Sequence, residues 1–162
     1  MKIIPAEPEN AADAGRIIHT SWLETYRGLM PDRVLDAHTA DHCTARAQKF
    51  YKNYRLAYID GEAAGVVCFT DKAREFCTHC EGGEIEALYV LGRFQRQGVG
   101  SALINTVFEA VGAMGITLFV LEGNEKAIRF YQKQGFEFTG KKIDDYKNGM
   151  TELEMFRGSI MA

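Results

Sequence analysis

Gln95-Arg96-Gln97-Gly98-Val99-Gly100 combines residue types suited to holding an anion. Two glycines let a backbone come close to a ligand, and the free N–H groups of a helix's first turn attract negative charge, usually a phosphate. A helix must follow for this to work. Val99, Leu103, Val107, Val111 and Met114 recur at helical spacing, with Ile104 and Phe108 beside them. Arg96 is a cation at a helix start, where the dipole disfavours one, and a bound anion accounts for it better than solvation does. Upstream, Glu84 and Glu86 lie two apart in Glu84–Val90, a run of strand composition, and so share a face with Leu88 and Val90. A carboxylate desolvated beside a central strand is a better proton acceptor; the alternative is that both are solvated at an exposed strand start. The residues point to a phosphorylated ligand held by main-chain donors, and to a carboxylate able to take a proton.

Other chemistries fit less well. The dinucleotide pattern G-x-G-x-x-G fails because Leu103 stands where the third glycine belongs. Gly135 to Lys142 is a near miss for a Walker A loop, but it ends Gly140-Lys141-Lys142 and lacks the hydroxyl that ligates magnesium. It also runs through Phe136-Glu137-Phe138, which alternates like a strand. Cys77-Thr78-His79-Cys80 is one C-x-x-C, half of a zinc site, and nothing places His42-Cys43 beside it. A redox pair would open a helix, whereas Glu81-Gly82-Gly83 reads as loop. The segment is read as a polar loop with incidental thiols, and no metal is expected.

Composition sets outer bounds. A chain of 162 residues is expected to form one domain over 1–162, long enough for a sizeable core. Hydrophobic content of 46% and charged content of 25% are ordinary for a globular protein. A net charge of −3 offers no basic face for nucleic acid. No apolar run reaches the length of a membrane span, and Met1 to Glu7 lacks the apolar core of a signal peptide. The expected compartment is the cytoplasm, where Cys43, Cys68, Cys77 and Cys80 stay thiols.

The elements that must position these groups follow from pattern. Lys2 to Ile4 reads as a short strand, Pro8 to about Tyr26 as a helix, Pro31 to about Asp36 as a second and Ala40 to Tyr51 as a third. Tyr54–Ile59 and Ala63–Thr70 are strands joined by the hairpin signal Asp60-Gly61-Glu62. Lys72–Gly83 is a polar loop. After the strand Glu84–Val90 comes a helix from about Gly98 to Met114, with Gly115 placed as its cap. Ile116–Leu121 is continuous and apolar, as a buried central strand should be. Asn124 and Gly135 bracket one more helix; Phe136–Thr139 and Thr151–Phe156 close the chain as strands.

The strand, the run Gln95-x-x-Gly98-x-Gly100 and the helix after it resemble the signature of the GNAT superfamily of N-acetyltransferases. Downstream, Asn124-Glu125-Lys126-Ala127-Ile128-Arg129-Phe130-Tyr131-Gln132-Lys133-Gln134-Gly135-Phe136 is similar to the family's N-x-x-A-x-x-F-Y-x-x-x-G-F helix. The resemblance covers roughly residues 54 to 157. It implies an α+β fold: a central, mostly antiparallel twisted sheet of about six to seven strands flanked by helices. It implies acetyl-CoA as acyl donor and a small-molecule or peptide amine as acceptor, joined directly in a ternary complex without an acyl-enzyme. Leu88, Tyr89 and Val90 would then meet the pantetheine arm with their main chain. Gln95, Arg96, Gln97, Gly98, Val99, Gly100 and Ser101 would cradle the pyrophosphate, and Asn124, Ala127 and Tyr131 would complete the cofactor contacts. Tyr131 holds the family's general-acid position, and the base is Glu84 by its count back from Gln95, with Glu86 as the alternative. Asn124 as a helix cap and Tyr131 as core packing are the plain structural readings.

Trp22 to Pro31 resembles a W-x-x-x-Y-x-G-x-x-P element of some family members, whose first helices wall the acceptor pocket. Trp22, Tyr26 and Arg27 are the candidates there, with core packing for Trp22 and solvation for Arg27 as alternatives. A non-catalytic acyl-CoA sensor or an interaction module on the same fold is the rival function. No nucleic-acid or membrane partner is expected, and homodimerisation stays open.

Overall fold

The computed structural model describes residues 1–159. The elements run β1 (Lys2–Pro5), α1 (Ala11–Tyr26), α2 (Asp32–Ala37), α3 (Ala40–Lys49), β2 (Tyr54–Ile59), β3 (Glu62–Thr70), β4 (Gly83–Val90), α4 (Val99–Val111), β5 (Ile116–Leu121), α5 (Glu125–Lys133), β6 (Glu137–Asp145) and β7 (Met150–Arg157). The strands form one seven-stranded sheet in the order β1-β2-β3-β4-β5-β7-β6. Pairing is antiparallel for β1–β2, β2–β3, β5–β7 and β6–β7 and parallel for β4–β5. This mixed sheet with flanking helices is the expected fold class.

The chain divides into two compact units. One comprises Met1–Cys68 with Ala87–Ile104, the other Phe69–Glu86 with the chain from Asn105 onward. In the first, α1 buries Ala11, Ala14, Ile17, Ile18 and Ser21, while Trp22, expected on the same apolar side as Ala11, Ile17 and Ile18, is half-buried. Ala14, Ile17 and Ile18 join a core with Cys43, Ala47, Leu56, Val66 and Leu91, against which Tyr89 and Phe94 pack. The Thr39 side chain caps α3 by accepting the His42 N–H at 3.2 Å. In the second unit Ile85, Ile116, Leu118, Val120, Phe136 and Met155 are buried, and the Phe108 and Phe136 rings meet edge to face.

Several boundaries differ from expectation for local reasons. Residues 8–10 form a turn rather than the start of α1, because the Asn10 side chain accepts the Glu7 N–H at 2.8 Å. The third helix ends at Lys49, and Tyr51–Asn53 is a 3₁₀ turn. Similarly α4 ends at Val111 and tightens to 3₁₀ geometry over Gly112–Met114, which turns Met114 outward to 58% exposure. Gly115 follows with φ +82°, and a Cβ there would lie 2.4 Å from the Phe156 ring, so both conformation and space demand glycine. Strand β6 runs on to Asp145 through a register shift between Phe138 and Lys142.

Candidate active site

In the first unit β4 hands the chain to α4 through a braced turn. Leu91 N–H donates to the Ala64 carbonyl at 3.0 Å, and Gly92–Phe94 makes one 3₁₀ turn. The Gln95 side-chain amide donates to the Val90 carbonyl at 3.1 Å, and that of Gln97 to the Arg93 carbonyl at 3.1 Å. Arg93 pairs with Glu62. Gln95 and Gln97, expected at a phosphate, thus use their side chains to fix the loop. Arg96 has φ +61° and Gly98 φ +81°, with Gln97 between them on the ordinary side. Alternation of this kind turns successive N–H groups inward as an anion-binding nest. A Cβ built on Gly98 meets nothing within 4 Å, so the space beside it is open. The Arg96 side chain is exposed. Its left-handed backbone is strained for a residue with a Cβ, an outlier of the kind that clusters at ligand clamps. The Gly98 carbonyl accepts the Ala102 N–H at 3.0 Å, opening α4, whose first turn holds Val99, Gly100 and Ser101. Helix geometry leaves first-turn N–H groups without intrahelical acceptors. Leu88, Tyr89 and Val90 lie half-buried on the strand before this turn.

The same unit brings Trp22 and Tyr26 together at 4.8 Å, edge to face, on one side of α1. The His38 ring lies 4.3 Å from Trp22 and its Nε2 is 3.1 Å from the Cys43 sulfur. Burial, then the charges of His42, His19 and Arg46, hold the His38 pKa below its usual value, so this aromatic wall is uncharged at neutral pH. Arg27 turns to its own neighbours: its guanidinium pairs with Asp32 at 3.0 Å and Asp36 at 3.7 Å.

The second unit treats the two β4 glutamates differently, although strand parity puts them on one face. Glu86 is exposed. Glu84 is fully buried, which rules out a solvated strand start for it. Arg74 Nε donates to both of its oxygens at 3.0 and 3.2 Å, Arg74 Nη2 donates to Oε1, and the Arg74 main-chain N–H donates to Oε2 at 3.0 Å. The Arg74 pKa is raised, first by these hydrogen bonds. The guanidinium also stacks 4.6 Å from the Phe76 ring centre and 5.6 Å from that of Phe119. Both Glu84 oxygens, expected to be open to a substrate proton, are taken up by Arg74, and the geometry is that of an anchor.

The segment 72–82 is likewise more than a polar loop with incidental thiols. Cys77 and Ala73 are buried, and burial first, then the Glu84 and Glu154 charges, push the Cys77 thiol up to about 11. Thr78 N–H donates to Glu154 at 3.0 Å, and the Thr139 hydroxyl donates to the same carboxylate at 2.6 Å. Desolvation is the largest influence on Glu154 and pushes its pKa up, yet these hydrogen bonds and Lys141 together hold it below the usual range. Lys141 reaches the Phe76 carbonyl, and His79 stacks on Phe156 at 3.8 Å. Arg74 and Glu154 are the important residues that pattern reading missed; neither stands in a motif. Glu152 on β7 keeps over a third of its surface in solvent, while crowding around the carboxyl itself, then Glu84 and Asp145, raises its pKa against the opposing pull of Arg74. Among the described residues no group of three or more His, Cys, Asp and Glu is placed to hold a metal ion.

Asn124 caps α5 as its type predicts, its side chain accepting the Ala127 N–H at 3.3 Å. Tyr131 lies half-buried on that helix, 5.3 Å from the Phe130 ring and 5.9 Å from that of Phe136, edge to face with both.

The family model described as Acetyltransferase (GNAT) family matches residues 16–136. A "probable N-acetyltransferase" of Mycobacterium tuberculosis is 35% identical over 147 residues, covering 87% of this chain and 82% of that protein. N-alpha-acetyltransferase 50 of Danio rerio is 33% identical over 115 residues, 61% of this chain; the alignment spans 64% of the zebrafish protein. The structure of the PaiA N-acetyltransferase of Thermoplasma acidophilum in complex with coenzyme A superposes with a TM-score of 0.72 at 16% identity, covering 97% and 98% of the two chains. The family match across most of the chain and the Mycobacterium tuberculosis relative, covered over four fifths of its length, show that this chain belongs to the acetyltransferase (GNAT) family, a family of acyltransferases.

Proposed function

We propose that the chain is an N-acetyltransferase that uses acetyl-CoA and acetylates a primary amine by direct attack in a ternary complex. The observation that carries this reading is the nest at Arg96 and Gly98 opening into α4, with open space beside Gly98. The coenzyme A in the Thermoplasma acidophilum neighbour supports it. So does the zebrafish relative's name, which specifies acetylation at an α-nitrogen. When bound, acetyl-CoA supplies an acetyl thioester open to a neutral amine. Main-chain N–H groups from residue 96 through the first turn of α4 hold the pyrophosphate, and Arg96 adds charge. Leu88 to Val90 align the pantetheine arm. The acceptor arrives as an ammonium and must lose a proton. Glu86, rather than Glu84, takes it, directly or through water, because Arg74 already fills both oxygens of Glu84. Tyr131 returns a proton to the departing sulfur. Trp22 and Tyr26 wall the acceptor, while Arg27 holds α2 through its two aspartates. Residues 1–162 act as one catalytic domain, in a reducing cytoplasmic setting that keeps the thiols free.

Acetyl-CoA at about a hundred times its Kd should raise the melting temperature by roughly 5–10 °C, since binding to the native state alone stabilises it. Gly98→Val meets no neighbour but forces a branched side chain into a left-handed backbone. The variant should fold with a lower Tm and lose the acetyl-CoA shift. A wild-type-sized shift in that variant removes the cradle from the proposal.

Replacing all four cysteines by Ala or Ser should leave turnover within a few-fold of wild type. Direct attack needs no protein nucleophile, and the buried Cys77 thiol, at about 11, is not a thiolate at neutral pH. Loss of the acetylated product in a folded variant, followed by mass spectrometry, would argue for an acyl-enzyme instead.

A further inference from the structure

We infer that Glu24 is a positioning residue for the phosphate cradle, setting the turn that launches residues 95–100 by holding the main-chain N–H of Gly92. The inference rests on the acetyl-CoA reading above. Glu24 Oε2 accepts the Gly92 N–H at 3.2 Å, a contact made across 68 residues of sequence. A Cβ on Gly92 would lie 3.5 Å from the same oxygen, in ordinary contact, so the carboxylate lies against the turn. Gly92 opens the 3₁₀ turn whose Phe94 packs on the core. That turn's first N–H groups have no acceptor inside the turn, so a carboxylate there satisfies a donor. From this point the Gln95 and Gln97 side chains bond back to the Val90 and Arg93 carbonyls on either side of the strained Arg96.

Position on α1 gives the contact its meaning. Glu24 is two residues past Trp22, about 200° around the helix from it. One side of α1 therefore presents the Trp22–Tyr26 pair and the other grips the turn before the cradle. The α1 element proposed to wall the acceptor is thus fixed to the segment proposed to hold the cofactor. Neither the cradle motif nor the aromatic motif includes Glu24.

The test titrates coenzyme A into wild type, Glu24→Ala and Glu24→Gln, with steady-state kinetics on an accepted amine and amide hydrogen exchange over residues 91–98 without cofactor. Glu24→Ala should weaken coenzyme A and raise the KM for acetyl-CoA about three- to tenfold, the range that loss of one ordinary hydrogen bond commands. kcat and Tm should stay near wild type, and exchange at Gly92 should speed up. Glu24→Gln keeps an acceptor oxygen and should restore binding and protection. Unchanged coenzyme A binding in Glu24→Ala overturns the inference. So does a loss confined to kcat or to acceptor KM, which would place Glu24 at the acceptor instead. Equal damage in Glu24→Gln and Glu24→Ala overturns it too, because the charge and not the hydrogen bond to Gly92 would then carry the effect. Wild type that binds no coenzyme A removes the cradle, and the role of Glu24 with it, whereas the hydrogen-exchange arm still reports whether Glu24 holds the turn.

Discussion

Tyr131→Phe should lower kcat about 10²–10⁴-fold while leaving the Kd for coenzyme A nearly unchanged, the signature of a lost general acid. The substitution removes one oxygen and keeps the ring. The edge-to-face contacts with Phe130 and Phe136 therefore persist, as does the hydrogen bond from the Phe136 N–H to the residue 131 carbonyl at 3.0 Å. A phenol with an ordinary pKa near 10 can protonate a thiolate as charge develops on sulfur, so its contribution falls on the transition state and not on binding. Packing alone predicts a small change in Tm and ordinary turnover. Steady-state kinetics with a proven acceptor, beside a coenzyme A titration, separate the two. Wild-type kcat in the variant would falsify the acid assignment.

The second large effect concerns stability. Arg74→Ala leaves the Glu84 carboxylate fully buried, with the residue 74 main-chain N–H and the Cys77 thiol still donating to it. Breaking a buried ion pair from one side is strongly destabilising; here the guanidinium is 51% exposed, so the expected cost is the lower end, about 2–3 kcal/mol. For a chain of this size that is roughly 4–12 °C in Tm. Arg74→Lys keeps the charge but not the two-pronged geometry and should recover only part. Replacing both partners with leucine should restore more than half of the loss, because no charge is then stranded. Calorimetry on the four proteins checks the series. A single variant as stable as wild type would show that the pair contributes nothing.

How much of this could be seen in the sequence depends on how local each cause is. Asn124 announces the start of α5 because a cap is a matter of three residues, and the structure shows that bond. The strand before Gln95 and the helix after Gly98 were legible for the same reason: periodicity and glycine act within a few residues. β6 outruns the expected Phe136–Thr139, because the register shift after Phe138 looks like a strand end when its partner Leu153 is not in view. Met114 fits the helical stripe but lies outside it, since α4 tightens at Gly112. Strand parity places Glu84 and Glu86 together, yet Glu84 is buried against Arg74 while Glu86 is exposed. Parity tells which face a residue uses, not what covers that face. Glu24 was invisible at the site because its partner is the main chain of a residue far along the sequence.

The anchoring of segment 72–82 has a consequence for how the chain assembles. Thr78 waits for Glu154, 76 residues later, and the Phe76 carbonyl waits for Lys141, 65 residues later. At a synthesis rate of about 5–20 residues per second, the loop is made roughly 4–15 s before its last anchor exists. Until β7 is made, the Thr78–Glu154 hydrogen bond cannot form. The C-terminal strand therefore acts as a closing step in biogenesis: what fixes the loop is not its own composition but the arrival of β7.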